Sequence, residues 1–297
     1  MSTHLAAQAP TVGKARAFLR LVAIEHSVFA LPFAYLAALT AMRLDGSFVN
    51  LPRLLLVTVA MVTARTFAMA ANRLIDRELD ARNPRTAGRE LVTGAMTVRS
   101  VQLGAALALA GFFAAAAALG PLCLLLAPLA VAPLVIYPYA KRFTDYPQAL
   151  LGLAQAVAPV GAWIAVTGHW SWSAVVLGLG VGLWIGGFDL IYACQDTVSD
   201  RAEGVRSVPA RWGNAAALRA SSVVHVLTFV LFTWFGAREG FGVIWYVGLA
   251  ATAGSFLYQH RIVSPTDLSR VNRSFFVSNG FVGLALGCTG ILDLALR

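Results

Sequence analysis

Two pairs of aspartates carry the first sign of chemistry in this sequence. Asp76 and Asp80 are four residues apart, Asp196 and Asp200 are four apart, and each member of the second pair lies 120 residues after its counterpart. Carboxylates at i and i+4 face the same side of a helix, where like charges repel unless something positive sits between them. A divalent cation answers that need. Magnesium is a hard ion that favours carboxylate oxygens and completes its shell with water and substrate phosphate. Two such pairs on facing helix ends are expected to hold two magnesium ions around a diphosphate. The competing reading, solvated loop acids that balance nearby arginines, does not explain why the pair recurs.

The neighbours of each pair fit the same chemistry. Residues 71–91 read ANRLIDRELDARNPRTAGREL, so Arg77, Arg82, Arg85 and Arg89 surround the first pair. Residues 192–213 read YACQDTVSDRAEGVRSVPARWG, placing Arg201 and Arg206 in the same relation to the second. Guanidinium groups match phosphate oxygens in charge and geometry. Taken singly, each arginine also reads as an anchor of membrane topology. Seven of the 14 acidic residues fall in these two segments, namely Asp76, Glu78, Asp80, Glu90, Asp196, Asp200 and Glu203. Together they form an internal two-fold echo.

The elements that must position these groups follow from composition. The chain has 297 residues, 58% hydrophobic and 12% charged, with a mean hydropathy of +0.71. Soluble chains average about 45–50% apolar and about 25% charged, so a cytosolic globule and a disordered scaffold are both excluded. We expect an all-α integral membrane protein, a single polytopic domain over 21–297 behind a cytoplasmic N-terminal segment, 1–20. A span needs roughly 20 apolar residues. Nine runs qualify: 21–42, 51–71, 101–119, 122–139, 149–166, 174–193, 215–236, 242–258 and 275–296. The third and fourth are divided at Gly120-Pro121, which reads as a tight turn. The first is a retained helix rather than a signal peptide, since further spans follow it.

Alternate segments differ sharply in charge. Of 23 Lys and Arg residues, 18 lie on the side of the N-terminus, four (Arg43, Arg53, Arg238 and Arg297) on the other, and Arg65 lies inside the second run. The positive-inside rule then puts the N-terminus and both Asp-rich loops in the cytoplasm and the C-terminus outside. That distribution accounts for the basic balance, a net +9, without nucleic acid as a partner. Cys123, Cys194 and Cys288 form no disulfide framework or zinc spacing, and no two of the five histidines sit at i, i+4.

Three further features lie inside the runs. Arg65 precedes Asn72 by seven residues and Asp76 by eleven, so it shares their face at a deeper level. Intramembrane arginines face a partner or a cavity. Arg65 is thus a candidate to bind an anionic group of a ligand, with pairing to Glu25 or another acid as the structural alternative. Asp189 precedes Asp196 by seven residues on the same face and is a candidate to bind substrate or take up a proton. Gly178, Gly182 and Gly186 recur every four residues and should admit a neighbouring helix closely.

The motifs NRxxDxxxDxxNxRTA, YPxxKRxTxxPQ from Tyr137 to Gln148, and YxxQDxxxDxxxGxxSxP resemble the UbiA superfamily of intramembrane aromatic prenyltransferases, in that family's order and over nearly the whole chain. The resemblance implies transfer of a polyprenyl group from polyprenyl diphosphate to the ring of a small aromatic acid in quinone biosynthesis. Carried over by position, Asn72, Asp76, Asp80, Asp196 and Asp200 would hold magnesium and the diphosphate, while Arg85, Arg89, Lys141 and Arg142 would bind its oxygens. Tyr137, Tyr139, Tyr192 or Phe188 would stabilise an allylic cation through their ring faces, with an interfacial aromatic belt as the alternative reading, and Arg65 would anchor the carboxylate of the aromatic acid. Two departures stand out. Arg73 replaces the acid at the second position of the commoner NDxxDxxxD motif. The segment EHSVFALPFA, residues 25–34, differs from the entry typical of 4-hydroxybenzoate enzymes, which keeps 1,4-dihydroxy-6-naphthoate beside 4-hydroxybenzoate as an acceptor. An ion-coupled transporter is the alternative of another class, and a prenyl-lipid-binding protein without catalysis is a third. Transporters place their acids near the bilayer midplane, whereas these lie at the mouths of the spans.

Overall fold

The computed structural model describes residues 13–22, 30–46 and 49–297, with Lys14 and Ala15 described by backbone alone. Among the described residues the chain is helical and has no strand. A short helix α1 (Lys14–Leu21) and a 14-residue apolar helix α2 (Leu31–Leu44) lead into α3 (Leu51–Ile75). After α3 come the six-residue α4 (Arg77–Arg82), α5 (Val98–Leu119), α6 (Pro121–Phe143), α7 (Pro147–Thr167) and α8 (Trp172–Ala193). Two short helices, α9 (Thr197–Glu203) and α10 (Val208–Trp212), precede α11 (Asn214–Arg238) and α12 (Val243–Ile262). The chain closes with α13 (Val271–Arg273), a π-helical turn and α14 (Asn279–Ala295).

Seven of these segments are long and apolar enough to cross a membrane, against the nine expected. Helix α2 is apolar but short, and α12 carries Trp245, Tyr246, Tyr258, Gln259 and His260, which dilute its hydropathy. The expected span 21–42 is not described over 23–29, and residues 1–12 also lie outside the described residues, as does Glu25. The N-terminal segment is more than a lead-in. Helix α1 buries Ala17 and Leu21 against Ala70, Leu91 and Val101, docking it beside the first Asp-rich segment. Gly120 makes the expected turn between α5 and α6 with φ of 144°, a conformation that a side chain would strain.

Helix α8 is the axis of the bundle. Its glycine face meets α7 backbone to backbone: a Cβ at Gly178 would touch the Ala156 carbonyl oxygen, one at Gly182 would lie 2.5 Å from that of Gly152, and one at Gly186 3.0 Å from that of Gln148. The opposite face receives α11, where Ser221 Oγ donates to the Gly187 carbonyl at 2.6 Å. An aromatic core of Phe33, Trp184, Phe232, Phe235 and Trp245 fills the centre. Elsewhere α3, α5 and α6 expose Leu51, Leu55, Leu103, Leu107, Leu125 and Leu129, an apolar surface suited to lipid.

Candidate active site

The two aspartate pairs sit where long helices give way to short ones. Asp76 ends α3 and starts α4 with φ/ψ of −93°/1°; Asp196 ends a 3₁₀ turn after α8 and starts α9 with −96°/1°. The sequence echo is therefore a backbone echo, in the sparsely populated bridge region favoured by many site residues. Each short helix has its own stop. Asn83, held extended before Pro84, ends α4, and Gly204 ends α9 in the left-handed conformation, φ 67°. The acids thus lie on helix ends and helical turns instead of in open loops.

Ion pairs hold the two segments together. Arg85 reaches across to Asp196 with both arms of its fork, Nε at 2.8 Å and Nη2 at 2.6 Å, and Asn83 donates to the same carboxylate at 2.9 Å. Lys141 lies 2.5 Å from Asp76, to which Asn72 also donates at 3.1 Å. Arg89 binds Asp80 at 2.5 Å, and Ser207 donates to Asp200 at 2.9 Å. Burial pushes the Asp76 carboxyl above its ordinary pKa range while the Lys141 ammonium pulls the other way. Burial works to lower the pKa of Arg85, but the Asp196 carboxylate outweighs it and holds the guanidinium above its usual value.

These groups line one polar cavity of about 220 Å³. It receives Asn72, Asp76, Asp80, Arg85, Arg89, Lys141, Asp189, Tyr192, Asp196 and Asp200 from the predicted set. Beneath it lies an apolar chamber of about 670 Å³, lined by Arg65, Val57, Met61, Leu134 and Phe188 among others. Five residues border both spaces: Asn72, Arg89, Tyr137, Asp189 and Tyr192. Every predicted site residue except Arg142 and Tyr139 borders one or the other. Arg142 sits at the rim, donating to the Ile75 carbonyl at 2.8 Å, to Pro138 at 3.1 Å and more weakly to Asp76 at 3.5 Å, so it caps the end of α3. Tyr139 also turns outward, with the Arg142 guanidinium over its ring. Two residues along α6 from Tyr137 is about 200° around the helix, which puts the two rings on opposite sides.

Among the described residues no three His, Cys, Asp or Glu side chains converge to enclose a metal by themselves. The donors present are carboxylates and an amide around a space wide enough for a polyanion. That set suits a hard divalent ion whose remaining ligands are phosphate oxygens and water. Arg73, the departure from the commoner motif, donates from Nε to the Leu21 carbonyl at 3.3 Å and so ties down the end of α1.

Among the cavity residues not singled out in the sequence, four stand out. Asn83 and Ser207 orient Asp196 and Asp200, Thr86 donates to the Asp80 carbonyl at 3.0 Å, and buried Gln148 lines the polar cavity. All four lie inside the three quoted motifs, which was the available signal. Of the segment 25–34, residues 25–29 lie outside the described residues.

The comparisons with known proteins agree with this architecture. The model of the UbiA prenyltransferase family matches residues 30–280. A 4-hydroxybenzoate octaprenyltransferase of Pseudomonas aeruginosa is 31% identical over 248 residues, covering 84% of this chain and 83% of that protein. The apo structure of a UbiA homologue from Aeropyrum pernix superposes with a TM-score of 0.82 at 35% identity, covering 91% of this chain and 98% of the other. A UbiA homologue from Archaeoglobus fulgidus, solved bound to DMAPP and Mg2+, shares the fold with a TM-score of 0.70 at 19% identity, over 94% and 99% of the two chains. The apolar exterior, the paired aspartate segments and these matches together make the chain a membrane-embedded member of the UbiA prenyltransferase family.

Proposed function

We propose that this enzyme transfers a polyprenyl group from its diphosphate to the ring of 4-hydroxybenzoate, in quinone biosynthesis. One observation carries the reading: a polar cavity ringed by both aspartate pairs and their cations shares five lining residues with an adjoining apolar chamber. An amphiphile with a diphosphate head and an isoprenoid tail matches that division. The relatives named 4-hydroxybenzoate octaprenyltransferase favour the benzoate over 1,4-dihydroxy-6-naphthoate as acceptor.

Asn72, Asp76, Asp80, Asp196 and Asp200 would hold magnesium, two ions in this reading. Bound there, magnesium supplies positive charge that stabilises the departing diphosphate. Arg85, Arg89 and Lys141 exchange their carboxylate partners for phosphate oxygens, and Arg142 guards the rim. Such preorganised cations act where negative charge develops. Tyr137 and Tyr192, at the junction of the two spaces, flank the allylic carbon as its bond to oxygen breaks. Asp189, at the same junction, accepts the proton that the ring loses after attack. Arg65 lies about 16 Å along α3 from Asp76, a distance its own reach and one aromatic ring can bridge, and it binds the acceptor carboxylate. The chain crosses the membrane nine times in this reading, with α2 and α12 as the two further spans, and the 18 basic residues on the side of the aspartates face the cytoplasm.

The test is direct: purified protein in detergent receives an allylic diphosphate, magnesium and either acceptor, and products are identified by mass. Prenylated benzoate is expected, and chelation of magnesium should stop its formation. Prenylated naphthoate alone would change the acceptor, and diphosphate-dependent turnover of neither would overturn the assignment.

A further inference from the structure

The final helix is irregular where it passes the active site. Between α13 and α14 the backbone forms a π-helical turn, Ser274–Ser278. Such turns admit an extra residue into a helix and re-aim a side chain, frequently at functional sites. This one is locked from behind: buried Asn279 donates to the Phe275 carbonyl at 2.9 Å and accepts from the Trp184 indole at 3.0 Å. Phe276 and Val277 face outward and are exposed, whereas Phe275 faces the apolar chamber.

Inside, Phe275 completes an aromatic wall. Its ring meets Phe188 edge-on at 5.1 Å and 89°, and lies 4.4 Å from the ring of Tyr192. Tyr192 in turn lies beneath the guanidinium of Arg85, the group that holds Asp196. Three rings from two helices thus descend from the polar cavity into the apolar chamber, beside Asp189. No sequence motif includes Phe275, and its place depends on the π-turn.

We propose that Phe275 is a specificity-determining residue: its ring seals this wall against water and faces the allylic cation, so that the aromatic acceptor captures the cation. The inference rests on the prenyl-transfer reading above. When the allylic C–O bond breaks, both electrons leave on the diphosphate. In transfer, a ring carbon of the acceptor supplies the electron pair for a new C–C bond, and its proton passes to a carboxylate or diphosphate oxygen. In the leak, a water oxygen supplies the pair for a new C–O bond and loses its proton in the same way, giving the prenyl alcohol. Each route consumes one donor and releases one diphosphate, so the ratio of products reports on the wall.

The experiment compares wild type, Phe275→Leu and Phe275→Tyr with geranyl diphosphate, magnesium and 4-hydroxybenzoate, measuring prenylated acid, geraniol and diphosphate. Leucine keeps the apolar bulk without the ring, and tyrosine keeps the ring. The ratio of alcohol to prenylated acid should rise about tenfold in Phe275→Leu, as loss of a cation–π contact implies. It should return close to the wild-type value in Phe275→Tyr. An unmoved ratio in Phe275→Leu, or equal leakage from Phe275→Tyr, overturns the inference while wild-type turnover leaves the functional reading standing. Absence of diphosphate release from wild type overturns both.

Discussion

The two ends of the bundle use charge in opposite ways. At the end away from the aspartate pairs, charged side chains bind backbone. Arg43 donates to the Leu294 carbonyl at 2.7 Å, and Arg53 donates to Ala165 and Val166 at 2.5 and 3.1 Å. Asp293 accepts from the Gly242 and Trp245 amides at 2.9 and 3.1 Å while pairing with Arg297. These groups satisfy the unpaired carbonyls and amides that every helix end leaves. At the other end, carboxylates meet cations from different helices around a cavity. Asp76 and Asp293 are almost equally buried, at 1% and 2% exposure, so burial does not separate them. What separates them is the set of partners: two backbone amides that cannot leave hold Asp293 beside Arg297, whereas the Asp76 carboxylate is held by side chains, two of them flexible cations that can turn to another anion.

That contrast breaks most easily at the aspartates. Replacing Asp76 or Asp196 with Ala should lower turnover by roughly 10³-fold or more, with the protein still monodisperse and helical by circular dichroism. Full activity in either variant would place the chemistry elsewhere. Arg85→Ala should cost roughly 10²-fold in kcat/KM for the prenyl diphosphate, because it loses both the bridge to Asp196 and a phosphate ligand. Arg65→Ala should raise the acceptor KM about tenfold while leaving that of the diphosphate unchanged, as steady-state kinetics with each substrate varied would show. An unchanged acceptor KM would assign Arg65 to structure. At the far end, Asp293→Ala should leave turnover per folded molecule unaltered and lower stability by about 1–2 kcal/mol, read as a lower Tm. A variant there that impaired catalysis without loss of stability would erase the distinction between the ends.

Much of the site was legible in the sequence because its chemistry is concentrated in three motifs. The repeat interval of 120 residues marked two matched aspartate pairs, and Asp76 and Asp196 share nearly the same backbone angles, −93°/1° and −96°/1°. The glycines of α8 were legible for a similar reason, since a four-residue repeat marks one helix face. Arg142 and Tyr139 were less so. Both stand in the right motif, but their orientation depends on the angle at which α6 meets α3, which a motif does not specify. The same holds for His225 and His260, which are far apart in sequence yet 2.9 Å apart between α11 and α12.

Composition and periodicity by themselves determined that this chain is a helical membrane protein, because so little charge cannot solvate a globule and apolar runs of span length must be helical in lipid. They also determined which residues carry charge to one end. Only the tertiary structure decided which cation meets which carboxylate, that the polar cavity adjoins an apolar chamber, and that a π-turn brings Phe275 to the chamber wall. Those facts depend on the relative rotation and spacing of helices that are distant in sequence. That geometry is set by packing, as where the α8 glycines let α7 approach, and no local pattern encodes it.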